Sequence, residues 1–132
     1  MLKKSDRLRK RLDFKRTYRR GKTVKNRFFV LYYAPNNSGT RQIGFSVSKK
    51  IGKAVVRNRV KRKLREACRL NLDLFAKGYN YIFIARQPLQ YAQYSEIEKM
   101  MKVTLFDLKL KPRTAKNSQK KAAEPSAEKA SN

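Results

Sequence analysis

The spacing of apolar residues changes period along the chain, and each change predicts an element. Residues 12–20 read as a short helix in which Phe14, Thr17 and Tyr18, at i, i+3 and i+4, share one face. Gly21 is placed to stop it. FFVLYYA (28–34) has the length and aromatic content of a strand. Its aromatics fall on both faces, Phe28 and Tyr32 on one, Phe29 and Tyr33 on the other, so one aromatic face is a candidate binding surface. Pro35, Asn36, Asn37, Ser38 and Gly39 form a turn-rich connection that predicts a hairpin with the next strand, RQIGFSVS (41–48). That strand alternates. Ile43, Phe45 and Val47 point to a core, while Gln42, Gly44, Ser46 and Ser48 make a small polar face that another backbone could approach closely.

KKIGKAV leads, as a strand-like connection or a loop, into the longest predicted helix, Val55 to Leu74. Val56, Val60, Leu64 and Ala67 form its apolar stripe, with Cys68 at the edge as a small buried hydrophobe. Gly78 then precedes a strand, YNYIFIA (79–85). Ser95 and Glu98 have the spacing of a capping box for a last helix, Glu96 to Leu110, whose inner face is Ile97, Met101, Leu105 and Leu108. The order α-β-β-(β)-α-β-α describes a small α/β sandwich (α+β) with no internal repeat. Three segments follow from the pattern: a basic, poorly patterned arm (1–11), one domain (12–110), and a tail (111–132) of Lys, Pro, Ala and Ser that reads as disordered.

Charge changes this picture most. Thirty-five Lys+Arg against nine Asp+Glu leave a formal +26 on 132 residues. The tail holds six Lys/Arg and two Glu, a net +4, which leaves +22 of the +26 on the arm and domain. Such charge opposes compaction and calls for a polyanionic partner. Nucleic acid fits best, because each phosphate contact releases condensed counterions. A membrane fits less well, since no apolar run has the length of a spanning helix and the N-terminus lacks an apolar signal region. Fourteen Phe/Tyr residues and 40% hydrophobic content indicate a folded core beneath the charge.

Residue inventory narrows the chemistry. With no histidine and a single cysteine, zinc-finger and Cys/His nucleophile schemes are excluded, and a reducing cytoplasm is the simplest setting. The nine acids are scattered, with no D-x-D or paired cluster for a metal. The density of charge peaks in RNRVKRKLREACR (57–69), where Arg57, Lys61, Arg65 and Arg69 recur at i+4 with Asn58 and Arg62 beside them. Solvated helix faces usually mix signs, yet between Val55 and Leu74 the only acids are Glu66 and Asp73. Major-groove reading of DNA is the rival for such a helix, but it predicts a helix-turn-helix or paired dimer and does not suit the flanking strands. Phe14, Tyr18 and Tyr32 suit either a core or a platform on which unpaired bases stack. Lys49 and Lys50, beside a glycine turn, suit either plain exposure or phosphate contact.

SVSKKIGKAVVRNRVKRKLRE (46–66) strongly resembles the signature of the bacterial ribonuclease P protein subunit. D-F-x-x-x-Y-x-x-G (13–21), N-R-x-F-V-L-Y (26–32) and Y-I-F-I-A-R (81–86) match in the same order. The resemblance implies a cytoplasmic ribonucleoprotein that removes the 5′ leader of precursor tRNA, in which a large RNA is the catalyst and uses Mg²⁺. The protein would bind no cofactor alone, and its partners would be the catalytic RNA and precursor tRNA, not DNA or a membrane. The alternative is a general structured-RNA-binding protein, such as a ribosomal component or RNA chaperone. The resemblance further implies that Arg57, Asn58, Arg59, Lys61, Arg62 and Arg65 contact the catalytic RNA. It implies a cleft for the leader at Phe14, Tyr18 and Tyr32, with Ser46, Ser48, Lys49, Lys50 and Arg86 nearby. It also implies a left-handed β-α-β crossover around the basic helix, against the usual preference.

Overall fold

The computed structural model describes residues 6–113. Its elements run α1 (Arg11–Arg20), β1 (Lys22–Lys25), β2 (Phe29–Pro35), β3 (Gln42–Ser46), α2 (Ala54–Leu70), β4 (Tyr79–Ala85) and α3 (Tyr94–Leu108), with short 3-10 turns at Lys49–Ile51, Leu72–Leu74 and Gln87–Tyr91. The four strands form one mixed sheet in the order β1-β2-β4-β3. β1 pairs antiparallel with β2 and β2 with β4, while β3 and β4 are parallel. This is the α+β architecture that the apolar pattern predicts. β3, α2 and β4 form the crossover between parallel neighbours, the unit to which the resemblance assigns a left-handed sense.

The sheet corrects one local expectation and decides an open one. β2 and β3 do not form a hairpin, because β4 lies between them. β4 is the most apolar strand, and five of its seven residues are buried (Asn80–Phe83 and Ala85), so it takes a position covered on both faces. The hairpin that does form joins β2 to β1, a four-residue edge strand, KTVK. Lys22 and Lys25 are exposed there, and lysine on an outer strand discourages pairing with a second chain. The connection after β3 is a loop and 3-10 turn rather than a strand. Gly52 permits the turn into α2, with φ of +154° and a Cβ position only 3.2 Å from Val56.

Alternation of the strands builds the two outer layers. Phe29 and Leu31 of β2, Tyr81 and Phe83 of β4 and Ile43 of β3 point to one side, where Val60, Leu64, Ala67 and Cys68 of α2 and Ile97, Met101 and Leu105 of α3 complete the core. The apolar faces of α2 and α3 are therefore those predicted. Cys68 is fully buried, and burial pushes its thiol well above the usual range, which makes it an inert core residue. The i+4 repulsions along α2 amount to about 0.2–0.5 kcal/mol each. Burial of Val60 and Leu64, at about 1.5–3 kcal/mol each, outweighs them.

α1 occupies the other side of the sheet, against β2 and β4. It stops at Gly21, whose N–H donates to Thr17 O at 2.8 Å. The glycine is required by crowding, not by φ: a Cβ would lie 2.4 Å from Thr17 O and 3.1 Å from Tyr33 O. Contacts of the fold extend past both ends of the predicted domain. Arg7 bridges Ile43, the N–H of Leu8 donates to Ile43 O at 2.9 Å, and Leu8 is buried. Arg113 N–H donates to Lys77 O at 2.8 Å. Residues 1–5 of the arm and 114–132 of the tail lie outside the described residues.

Helix ends also differ from expectation. α2 stops at Leu70 because Asn71 caps it: the Asn71 amide donates to Ala67 O at 2.8 Å and to Glu98 Oε2 at 3.0 Å. Glu98 is thus engaged with α2, and the capping box of α3 forms two residues earlier, where Gln93 N–H donates to Glu96 Oε1 at 2.9 Å.

Leu64→Ala is expected to lower stability by about 2–5 kcal/mol, read as a fall in the urea midpoint. Leu70→Ala, on the exposed side of the same helix, is expected to stay within about 0.5 kcal/mol. Cys68 is expected to resist alkylation in the native state and react only on unfolding.

Candidate nucleic-acid interface

α1 covers only part of its face of the sheet, and what it leaves open is a cleft. The strand register places three rows across that face. Ala34, Asn80 and Gln42 lie under α1; Thr23, Tyr32, Ile82 and Gly44 form the middle row; Lys25, Val30, Ile84 and Ser46 form the last. Phe14 lies against the middle row because Gly44 has no side chain: a Cβ there would sit 2.5 Å from Phe14 Cζ. The small strand face thus receives an aromatic ring rather than another backbone. Tyr18 packs edge-on to Tyr32, with ring centroids 5.0 Å apart, and 6.5 Å from Phe14.

The third row is the floor. Val30, Ile84 and Ser46 are half-buried, and Tyr18 of α1 reaches the Ser46 end of the row. Tyr18 is 37% exposed, and its hydroxyl pKa is raised, chiefly by burial, with a Ser46 hydrogen bond pulling the other way. The cleft therefore presents aromatic edges above an apolar floor. This combination suits the flat faces of unpaired bases better than a duplex, whose bases are stacked on one another.

Positive charge stands at the end of the sheet beyond that floor, where the parallel strands β3 and β4 both finish. Ser48, Lys49 and Lys50 follow β3, and Arg86 follows β4; all four are exposed. The Arg86 N–H donates to Phe28 O at 2.9 Å and its Nη1 to Asn26 O at 2.8 Å, which fixes the guanidinium beside the β1–β2 turn. Gln87 Nε2 donates to Lys50 O at 3.2 Å and ties the two loops together. Asn26 sets the turn itself, its Oδ1 accepting from the N–H groups of Phe28 and Phe29 at 2.9 and 3.0 Å.

The same loop leads into α2, so the cleft and the basic helix adjoin. At about 3.6 residues per turn, Arg57, Lys61 and Arg65 climb from the edge of the buried stripe, and Asn58 and Arg62 extend the surface outward. Arg57, Lys61 and Arg65 are half-buried, and the shielded Arg57 Nε has no hydrogen-bond partner among the described residues. Asn58, Arg59 and Arg62 are exposed. Arg59 stands apart from the others, on the flank that carries Lys63. Two cations are already engaged: Arg69 pairs with Glu66, and Lys63 donates to Ala92 O at 3.0 Å. Among the described residues, no group of three or more His, Cys, Asp or Glu converges as a carboxylate cage for a hard cation would require.

Sequence reasoning missed Val30, Ile84 and Lys25 in the cleft. Alternation from Tyr32 points to Val30, but Ile84 sits in a strand apolar at nearly every position, and Lys25 belongs to an edge strand with no apolar signal.

The ribonuclease P family model matches residues 2–109. The chain is 48% identical over 108 residues to the ribonuclease P protein component of Caldanaerobacter subterraneus subsp. tengcongensis, covering 79% of this chain and 93% of that protein. It is 46% identical over 99 residues to that of Clostridium botulinum strain Langeland, covering 74% and 89%. The RNase P protein of Staphylococcus aureus superposes with a TM-score of 0.72 at 36% identity, covering 80% of this chain and 97% of the other. That of Thermotoga maritima gives 0.69 at 31%, covering 75% and 94%. The basic helix, the aromatic cleft and these matches over most of the chain lead to one assignment: the protein belongs to the bacterial ribonuclease P protein family and is a protein subunit of that tRNA-processing ribonucleoprotein.

Proposed function

We propose that this subunit works by holding two RNAs at once: the single-stranded 5′ leader of precursor tRNA in the cleft, and the catalytic RNA on α2. The observation that carries this reading is the half-exposed aromatic and apolar cleft ending in Lys49, Lys50 and Arg86, directly beside the cationic surface of α2. In the leader site, Phe14, Tyr18 and Tyr32 stack on bases, Ser46 and Ser48 offer hydroxyls, and the lysines and Arg86 contact phosphates. On α2, Arg57, Asn58, Lys61, Arg62 and Arg65 form the docking grid, and Arg59 reaches the RNA from the other flank. On this reading the cutting and its Mg²⁺ belong to the RNA, in keeping with a chain that has no histidine and, among the described residues, no cluster of acids. The protein contributes affinity for what only the precursor has, its leader. The assembly acts in the cytoplasm. Among the described residues no helix is long and apolar enough to cross a membrane.

Reconstitution tests the central claim. Added to the catalytic RNA at low Mg²⁺, the protein is expected to raise precursor affinity and cleavage; no gain over RNA alone defeats the reading and favours a general RNA-binding role.

Phe14→Ala and Tyr32→Ala are expected to weaken binding of leader-bearing precursor by about 1–3 kcal/mol per lost stacking contact and to leave mature tRNA unaffected. Equal losses for both ligands, measured by equilibrium titration, contradict the cleft.

Arg57→Ala and Arg65→Ala are each expected to lower affinity for the catalytic RNA and reduce the slope of log K against log salt by about one. Arg69→Ala, whose guanidinium is already paired with Glu66, is expected to change the slope less. Three equal slopes remove the distinction between grid and bystander.

A further inference from the structure

α1 has a second recess on its other side, opposite the aromatic cleft. This cavity of about 280 Å³ lies between the Asp13, Arg16 and Arg20 side of the helix, the β2–β3 turn and the row of the sheet that begins at Gln42. Its character differs from the cleft: it is walled by amides, two guanidiniums and the Asp13 carboxylate rather than by aromatic rings.

The back wall is fixed. Asn80 is buried, its amide donating to Thr17 Oγ1 at 3.2 Å while its Oδ1 accepts from Asn36 Nδ2 at 2.9 Å. Asn36 is held in turn, its Oδ1 accepting from the N–H groups of Ser38 and Gly39 at 3.1 and 3.2 Å. Thr17 and Asn80 are two of the four buried polar residues of the described fold, and both lie at this recess. Burying such groups is unfavourable unless they are satisfied, and here they set the orientation of a polar wall.

The front faces solvent, with Arg16, Arg20 and Asn37 exposed and Gln42 half-buried. Among the described residues the side chains of Asn37, Gln42, Arg16 and Arg20 make no hydrogen bond or ion pair with protein. Carboxamides offer a donor and an acceptor together, which matches the edge of an unpaired base, and two guanidiniums one helical turn apart suit a phosphate.

We propose that this recess is a second RNA subsite, taking one unpaired nucleotide with its base against Gln42 and Asn37 and its phosphate against Arg16 and Arg20. The proposal rests on the RNA-binding reading above and adds a position that discriminates bases. The nucleotide comes either from the leader beyond the cleft or from an unpaired position of the catalytic RNA.

Gln42→Ala and Asn37→Ala change no charge, so they separate base contact from general attraction. In the reconstituted holoenzyme, affinity is measured for precursors with long and truncated leaders, and for the catalytic RNA without substrate. Urea midpoints establish that each variant is folded. A roughly two- to tenfold loss confined to the long leader, with weaker discrimination among leader bases, assigns the recess to the leader. The same loss for the catalytic RNA alone assigns it there. Wild-type affinity of both folded variants for every ligand overturns the proposal. Phe14→Ala, measured in parallel, keeps the two readings apart: if it weakens long-leader binding while Gln42→Ala and Asn37→Ala do not, the recess fails and the cleft stands.

Discussion

Burial of β4 on both faces is the constraint from which the rest of the molecule follows. Tyr81 and Phe83 enter the core shared with α2 and α3, while Asn80, Ile82 and Ile84 support the opposite surface. A strand covered in this way must be central, so β2 and β3 are held apart on either side of it. That separation spreads the open face wide enough for α1 to cover one part and leave another exposed. It also brings the ends of β3 and β4 together, so Lys49, Lys50 and Arg86 gather at one rim.

The packing and the charge are coupled through α2. A row of cations on an isolated helix repels itself, and nothing in the helix alone compensates, since Glu66 is the only acid within it and pairs with Arg69. The stripe from Val60 to Cys68 fixes the helix on the sheet regardless, which holds Arg57, Lys61 and Arg65 at set positions within the fold itself. Preset charges lose less side-chain freedom on binding than lysines on a tether do. The half-buried state of these three side chains serves the same end, because their stems lie along the protein surface.

How much of this was legible depended on whether the signal was local. The stripe of α2, the extent of β4 and the inner face of α3 follow from periodicity within one segment. Pairing did not, because the turn residues Pro35–Gly39 announce a change of direction without naming the partner strand. β1 escaped notice because KTVK has no apolar run and is a strand only through its bonds to β2. The capping box lies two residues before the expected one: Ser95 and Glu98 have the right spacing, but Glu98 is drawn to Asn71 from 27 residues away. In the site, the aromatic members and the α2 grid could be named from motifs. The floor residues Val30 and Ile84 emerge only when strands distant in sequence are laid side by side.

Two surfaces that meet at one rim have a consequence that neither has alone. On the proposed reading, a leader in the cleft runs toward Lys49, Lys50 and Arg86 and so toward the RNA seated on α2. Gln87 bonding to Lys50, and Arg86 to Asn26, keep the rim from moving independently of either surface. The binding energy of the leader then positions the substrate against the catalyst instead of merely retaining it, and it is lost once the leader is removed. Favouring precursor over product in this way needs no reactive group on the protein. A small, strongly cationic chain without histidine or a carboxylate cluster is suited to that role: it supplies shape and charge at fixed separation.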